Sequence, residues 1–269
     1  LRRRFFYAIF QAFQYLLTLR KTLKQKFRAM KKTEIEYKIK RFRKGYVFNI
    51  DDLKIDTSER RSASAILAQL VKSGKLRRLA KGRYYKPQFG ILKELKPGTD
   101  EVIKDLLIKG KNPIGYISGY SIFNRLNLTT QLSNTIQIAT NQNREPIKRS
   151  FYKISFIKQK NKITNVNMPY LQLLDCIKFV KRIPDNTPDK TCKQITQILK
   201  KYDTRTLKYI YKLALKYNAS TRALTGAMIE TITADETPNS LYKSLNPSTR
   251  YNIGITEETL PNRRKWNIY

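Results

Sequence analysis

Residues 30–88 read MKKTEIEYKIKRFRKGYVFNIDDLKIDTSERRSASAILAQLVKSGKLRRLAKGRYYKPQ, and the hydrophobic period changes along them in an informative order. From Met30 to Phe42 the apolar residues Ile35, Ile39 and Phe42 recur at i, i+4, i+7, which predicts a helix stopped at Gly45. Tyr46-Val47-Phe48 is a short apolar run, and Asp51-Asp52-Leu53 can open a single helical turn. Thr57 or Ser58 then caps a helix over 58–72, with Glu59 in its first turn and Ala63, Ile66, Leu67 and Leu70 on its buried stripe. Gly74 ends that helix. The basic stretch that follows turns at Lys81-Gly82 as a β-hairpin and closes at Pro87. Helix, short helix, helix and basic hairpin is the order of a winged helix-turn-helix.

The chemistry of that unit points to nucleic acid. Opposite the apolar stripe, the third helix carries Ser58, Arg61, Ala65, Ala68 and Lys72, with Arg60, Ser62 and Ser64 beside them. Small residues let a helix backbone sink into a major groove about 12 Å wide, where Arg61 can reach a guanine edge. Lys75, Arg77, Arg78, Lys81, Arg83 and Lys86 on the hairpin come without an acid and suit phosphates or a minor groove. The candidate DNA-binding residues are therefore Ser58, Arg60, Arg61, Ser62, Ser64, Lys72, Lys75, Arg77, Arg78, Lys81 and Arg83.

Outward from this block, the whole chain of 269 residues carries 55 Lys and Arg against 20 Asp and Glu, a formal charge of +35. Polyanions are its natural partners. Residues 30–88 hold seventeen basic and six acidic residues, about twice the net charge density of residues 89–269. Histidine is absent, which removes Ser-His, Cys-His and His-metal arrangements, and Cys176 and Cys192 cannot make a zinc site alone. Both cysteines fall in helical segments and read as small core residues of a protein in a reducing cytoplasm. No metal ligand set and no cofactor motif is found.

Residues 1–29 carry eight basic residues, no acid and an apolar cluster from Phe5 to Leu19. At about 15 residues, broken by Gln11 and Gln14, the cluster is short for a span of roughly 20. One reading makes the segment an over-extended reading frame with Met30 as the native start. The other makes it a basic amphipathic extension that could touch a membrane.

Past Pro87 a second domain is expected over 89–235, with a tail at 236–269 packing on it. Thr99-Asp100-Glu101 opens a helix carrying Val102, Ile103, Leu106 and Leu107. A glycine-broken helix from Gly115 leads through Leu128-Thr129-Thr130-Gln131 to strands at 135–139, 151–157 and 163–166. After Pro169 the pattern is helical, with stripes at Tyr170/Leu173/Leu174/Ile177/Val180, Cys192/Ile195/Leu199/Tyr202 and Leu207/Ile210/Tyr211/Ala214/Tyr217. The fold class is α+β, a winged helix-turn-helix followed by a mixed α/β domain with a helical C-terminal half.

Several of these segments also carry a resemblance. Lys81–Pro87 (KGRYYKP), Gly115-Tyr116 through Leu128–Gln131 (LTTQ) and the strand ending in Ala139-Thr140-Asn141 resemble the AbiEi-type antitoxins of bacterial abortive-infection systems, a type IV toxin–antitoxin phage defence. Leu171–Asp175 (LQLLD), Ser220–Ala227 (STRALTGA) and Ser244–Pro247 (SLNP) resemble more closely a bacterial family grouped beside those antitoxins. The similarity runs from about Met30 to Trp266-Asn267-Ile268. It implies an N-terminal winged helix that represses its own operon and a C-terminal domain that counters a nucleotidyltransferase-like toxin without a stable complex. Arg125, Thr129, Thr130 and Gln131, a polar loop in the matching segment, are the candidates for that second role.

Catalysis finds no foothold. There is no G-x-x-x-x-G-K-[ST], G-x-G-x-x-G or G-x-S-x-G. The pairs Asp51-Asp52, Asp100-Glu101, Asp235-Glu236 and Glu257-Glu258 are adjacent in sequence and point apart on a helix. A metal-dependent nuclease would need Asp175, Asp203 and Glu230, which read as separated solvent-face residues. The competing reading is an RNA-binding or ribosome-associated protein without a toxin partner, its 17 tyrosines supplying stacking platforms. The expectation is a cytoplasmic, non-enzymatic regulator that binds double-stranded operator DNA.

Overall fold

The computed structural model describes residues 14, 18–22, 30–91, 93–233 and 238–269, and among them the chain is mixed α+β with several small sheets. It divides into two compact units between Val102 and Ile103. Most of the 1–29 segment lies outside the described residues, as do Asp235-Glu236 and the expected boundary there. No helix among the described residues is long and apolar enough to cross a membrane.

In the first unit a helical segment, α1 (30–40), precedes β1 (Val47–Phe48), two 3-10 turns (Asp51–Leu53 and Thr57–Glu59) and α2 (Arg60–Lys72). A hairpin of β2 (Arg77–Ala80) and β3 (Arg83–Tyr85) follows, then a short pair, β4 (Gln88–Phe89) and β5 (Glu94–Leu95). The three-stranded sheet runs β1-β3-β2, all antiparallel, with Val47 opposite Tyr85 and Arg77 opposite Tyr85 from the other side. Ile35, Ile39, Phe48, Leu53, Ala63, Ile66, Leu67, Leu70 and Leu76 form one core, so the stripes at helical spacing bury as a set. Phe42 is partly buried against it.

Thr57 and Ser58 do not cap α2. They sit in the second 3-10 turn, and neither side chain bonds the helix; Glu59, at the N-cap, is ion-paired with Lys31. The unit also extends past the expected boundary at residue 88. Arg77 holds Glu94 at 2.9 Å, Arg43 pairs with Glu101, and the Val47 amide donates to Glu101 at 3.2 Å, tying β5 and the start of α3 (Thr99–Leu107) to this unit.

The second unit is built on a four-stranded sheet, β10 (Ile147–Arg149), β11 (Tyr152–Lys158), β9 (Thr135–Thr140) and β8 (Gly115–Ser118), with β9 and β11 parallel. A small β6 (Ile108–Lys109) and β7 (Asn112–Pro113) hairpin precedes it. The expected glycine-broken helix from Gly115 is instead β8 followed by α4 (Tyr120–Arg125). A Cβ on Gly115 would lie 2.7 Å from the Leu106 carbonyl and 3.1 Å from that of Ala139, so this glycine marks a close backbone approach in a sheet. The expected strand at 163–166 is also absent. Asn167 accepts from the Thr164 amide at 2.9 Å and donates to the Lys162 carbonyl at 2.8 Å, so local side-chain bonds replace a ladder.

The helical half comprises α5 (Met168–Lys178), α6 (Pro188–Leu199), α7 (Thr204–Ala214), α8 (Ala219–Ile232) and α9 (Asn239–Lys243). Helix α8 packs against α5, α6, α7 and α9, and is buried from Ala223 through Ile229. Tyr251, Ile253, Ile255, Leu260, Trp266 and Ile268 of the tail belong to the same core. Cys176 and Cys192 are free and buried there, and burial pushes the Cys192 thiol up to about 12, so neither is a reactive thiolate.

Candidate nucleic-acid interface

Helix α2 presents two unlike faces. Ala63, Ile66, Leu67 and Leu70 are buried, whereas Arg61, Ser62, Ser64, Ala65, Ala68 and Lys72 are exposed. The hairpin carries Arg78 and Lys81 outward, and its turn falls at Lys81-Gly82. Among the described residues Arg61, Lys72, Arg78 and Lys81 have no carboxylate partner; the Arg78 Nε donates to the Ala80 carbonyl at 3.4 Å.

The remaining expected DNA contacts divide by what holds them. Arg60 is paired with Asp51, Lys75 lies 3.1 Å from Glu36, and Arg77 is fixed by Glu94 and by the Gly74 carbonyl at 3.2 Å. Arg77 and Arg83 are half-buried. Arg77 thus serves the fold, because a guanidinium bound to an internal carboxylate has little left for a phosphate. Lys86 acts similarly, donating to the Lys40 and Phe42 carbonyls at 3.0 and 2.7 Å where α1 ends. Ser58 lies in the 3-10 turn before α2, exposed.

The four candidates on the second unit separate as well. Arg125 on α4 is exposed but hydrogen-bonded to Gln172 on α5. Thr129 is buried, contrary to its reading as part of an exposed polar loop. Its hydroxyl accepts from the Gln131 amide at 3.1 Å and its carbonyl from Asn124 at 3.3 Å, so it forms the corner that ends α4. Thr130 and Gln131 remain exposed.

Asp175 is the largest departure from the sequence reading. It is 2% exposed, at the centre of a buried polar cluster, rather than on a solvent face. Its carboxylate accepts from Tyr116 at 2.8 Å, Ser118 at 2.7 Å and Tyr217 at 2.9 Å. Gln159 donates to both tyrosine hydroxyls at 2.8 Å and accepts from the Asn161 amide at 2.8 Å. Burial pushes the Asp175 carboxyl above its ordinary range, and the three hydroxyl donors oppose that push. Every donor is spoken for, so the cluster pins β8, β11, α5 and the end of α7 together rather than facing a substrate. Glu230 and Asp203 are also structural: Glu230 accepts from Trp266 Nε1 at 2.8 Å, and Asp203 caps α7 through the Thr206 amide at 2.8 Å. No group of three or more Cys, Asp or Glu among the described residues could hold a metal ion.

Comparison with known proteins gives a match to a family described as Family of unknown function (DUF6088), over residues 34–207. No curated protein matches. A crystal structure of the RV2827C protein from Mycobacterium tuberculosis is similar at 14% sequence identity and a TM-score of 0.40, covering 77% of this chain and 78% of that one.

Proposed function

The chain belongs to the Family of unknown function (DUF6088), and we propose that it is a DNA-binding transcriptional regulator of the antitoxin type. On this reading the first unit is a winged helix-turn-helix. In support, α1, β1, the short turns, α2 and the β2–β3 hairpin follow in that order, and β1 completes a β1-β3-β2 sheet. The observation that carries the reading is the outward face of α2, small and polar residues with Arg61 near the helix start, opposite a fully buried stripe. Arg61 reads a base edge; Lys72, Arg78 and Lys81 hold phosphates, with Arg60 and Lys75 at the rim.

Gel shifts on DNA from upstream of its own gene test this. Three phosphate-facing cations set a salt slope of about −2.7, which lowers affinity roughly fortyfold between about 50 and 200 mM salt. Arg61→Ala should cost about 1–3 kcal/mol on the operator and relax sequence preference, whereas Lys81→Ala weakens all sequences alike. Arg77→Ala, whose side chain is held by Glu94, should leave affinity unchanged. Equal losses on operator and random DNA for Arg61→Ala would remove it from base reading.

The antitoxin half of the proposal rests on the sequence resemblance to AbiEi-type proteins, and assigns the second unit to countering a nucleotidyltransferase-like toxin. Growth under toxin induction is the readout. Thr130→Ala and Gln131→Ala should lower protection at unchanged protein level, since their side chains are exposed and outside the core. Full protection by both would leave that loop structural.

A further inference from the structure

We propose that the second unit carries its own nucleic-acid site, a groove along α7 that stacks and grips a short single-stranded segment. Helix α7 buries Leu207, Ile210, Leu213 and Ala214, and its other side places Arg205, Lys208, Tyr209 and Lys212 at i, i+3, i+4 and i+7. That stripe faces Tyr170 and Val166 across a hollow of about 600 Å³.

Three properties fit an unpaired, stackable polyanion. First, ring surface is left open: Tyr209 is 39% exposed, and the side chain of Val166 on the opposite wall is exposed too. Second, the rings are held in place. Tyr170 meets Tyr209 edge-to-face at 5.8 Å and Tyr202 at 5.7 Å, so an incoming base finds a fixed aromatic corner. Third, Arg205, Lys208 and Lys212 line the hollow, and no acid does among the described residues. Asp203, two residues before Arg205, accepts from the Thr206 amide in capping α7.

A solvated basic face would need the lysines but not the open ring and valine beside them. Double-stranded DNA conceals its base faces, so an aromatic corner next to cations suits single strands, on which stacking is tolerant of sequence and sugar. This site is independent of α2 and the hairpin, and either can fail alone.

The test is fluorescence anisotropy of the full chain with short oligouridylate and oligothymidylate, and with a hairpin duplex as comparison. Tyr209→Ala should weaken single-strand binding roughly fivefold or more, the loss of one stacked base, and leave the duplex unchanged. Tyr209→Phe keeps the ring and should stay near wild type, which separates stacking from misfolding. Arg205→Gln with Lys212→Gln should lower the single-strand salt slope by about 1.4. Lys81→Ala, which weakens all duplexes alike, should act on the duplex alone. Unchanged single-strand binding in Tyr209→Ala, or an equal loss on the duplex, would overturn the proposal. So would a Tyr209→Ala defect seen only with phosphatidylserine vesicles, which would assign the groove to an anionic membrane surface.

Discussion

Replacing Gly226 by alanine should destabilise the second unit by about 3 kcal/mol or more, although alanine is the better helix former by about 1 kcal/mol. A Cβ at this position of α8 would lie 2.2 Å from Cη2 and Cζ3 of Trp266 and 2.9 Å from its Cε3. The indole cannot retreat. It is fully buried, stands edge-on to Tyr242 at 5.4 Å, and its Nε1 donates to Glu230, which also accepts from Asn262 at 2.7 Å and pairs with Lys265. Trp266→Ala alone should cost about 3–5 kcal/mol through the lost burial and the cavity left behind. The two losses should not add. With the indole gone, alanine at 226 meets open space, so Gly226→Ala in the Trp266→Ala background should be neutral or slightly stabilising. Urea titrations of the four proteins close this cycle, and near-equal costs of Gly226→Ala in both backgrounds would show that the Trp266 ring is not the source of the cost.

Gly226 shows what was legible in the sequence. It stands inside Ser220–Ala227, a segment that carries the family resemblance, yet nothing local says that its partner is Trp266, forty residues on. The α1 and α2 stripes were legible because a 3.6-residue period needs only neighbours along the chain. The same local reasoning failed at Gly115, where the deciding contact is the carbonyl of Leu106, and at 163–166, where Asn167 folds the backbone on itself. Arg77 reads as a phosphate ligand because its charge is visible in the sequence, whereas Glu94, 17 residues on, is brought beside it only by the fold. On α7 the stripe Arg205, Lys208, Tyr209 and Lys212 runs beside the apolar stripe Leu207, Ile210 and Ala214, and the hydrophobic period marks only the second of them. Asp175 carried a usable signal: Leu171 through Ile177 are buried on every face of α5, and an acid in such a helix cannot be a solvent residue. Its partners, Ser118, Tyr116 and Tyr217, lie 57, 59 and 42 residues away and had no local trace.

That acid yields the second large effect. Asp175→Ala should destabilise the second unit by about 3 kcal/mol or more, because Tyr116, Ser118 and Tyr217 each lose a buried acceptor, at about 1–3 kcal/mol apiece before relaxation. Asp175→Asn should cost far less, about 1 kcal/mol, since its Oδ1 still accepts from Tyr116 and Ser118. Tyr217 can then turn its proton to the Leu171 carbonyl, already 3.3 Å away, and accept from the new amide. The pair of variants also reports ionisation. Burial raises the Asp175 carboxyl above its unfolded value, so between those two values the folded state binds the extra proton. Its contribution to stability is therefore complete below the unfolded carboxylate range and declines as pH rises through the raised folded value. Asparagine has no proton to lose. Stability measured by urea titration from about pH 4 to 8 should fall in wild type relative to Asp175→Asn, and the gap between the two should narrow or invert toward neutral pH. A gap that stays constant across that range would mean that the three hydroxyl donors fully offset burial, with Asp175 holding an ordinary carboxylate in the core.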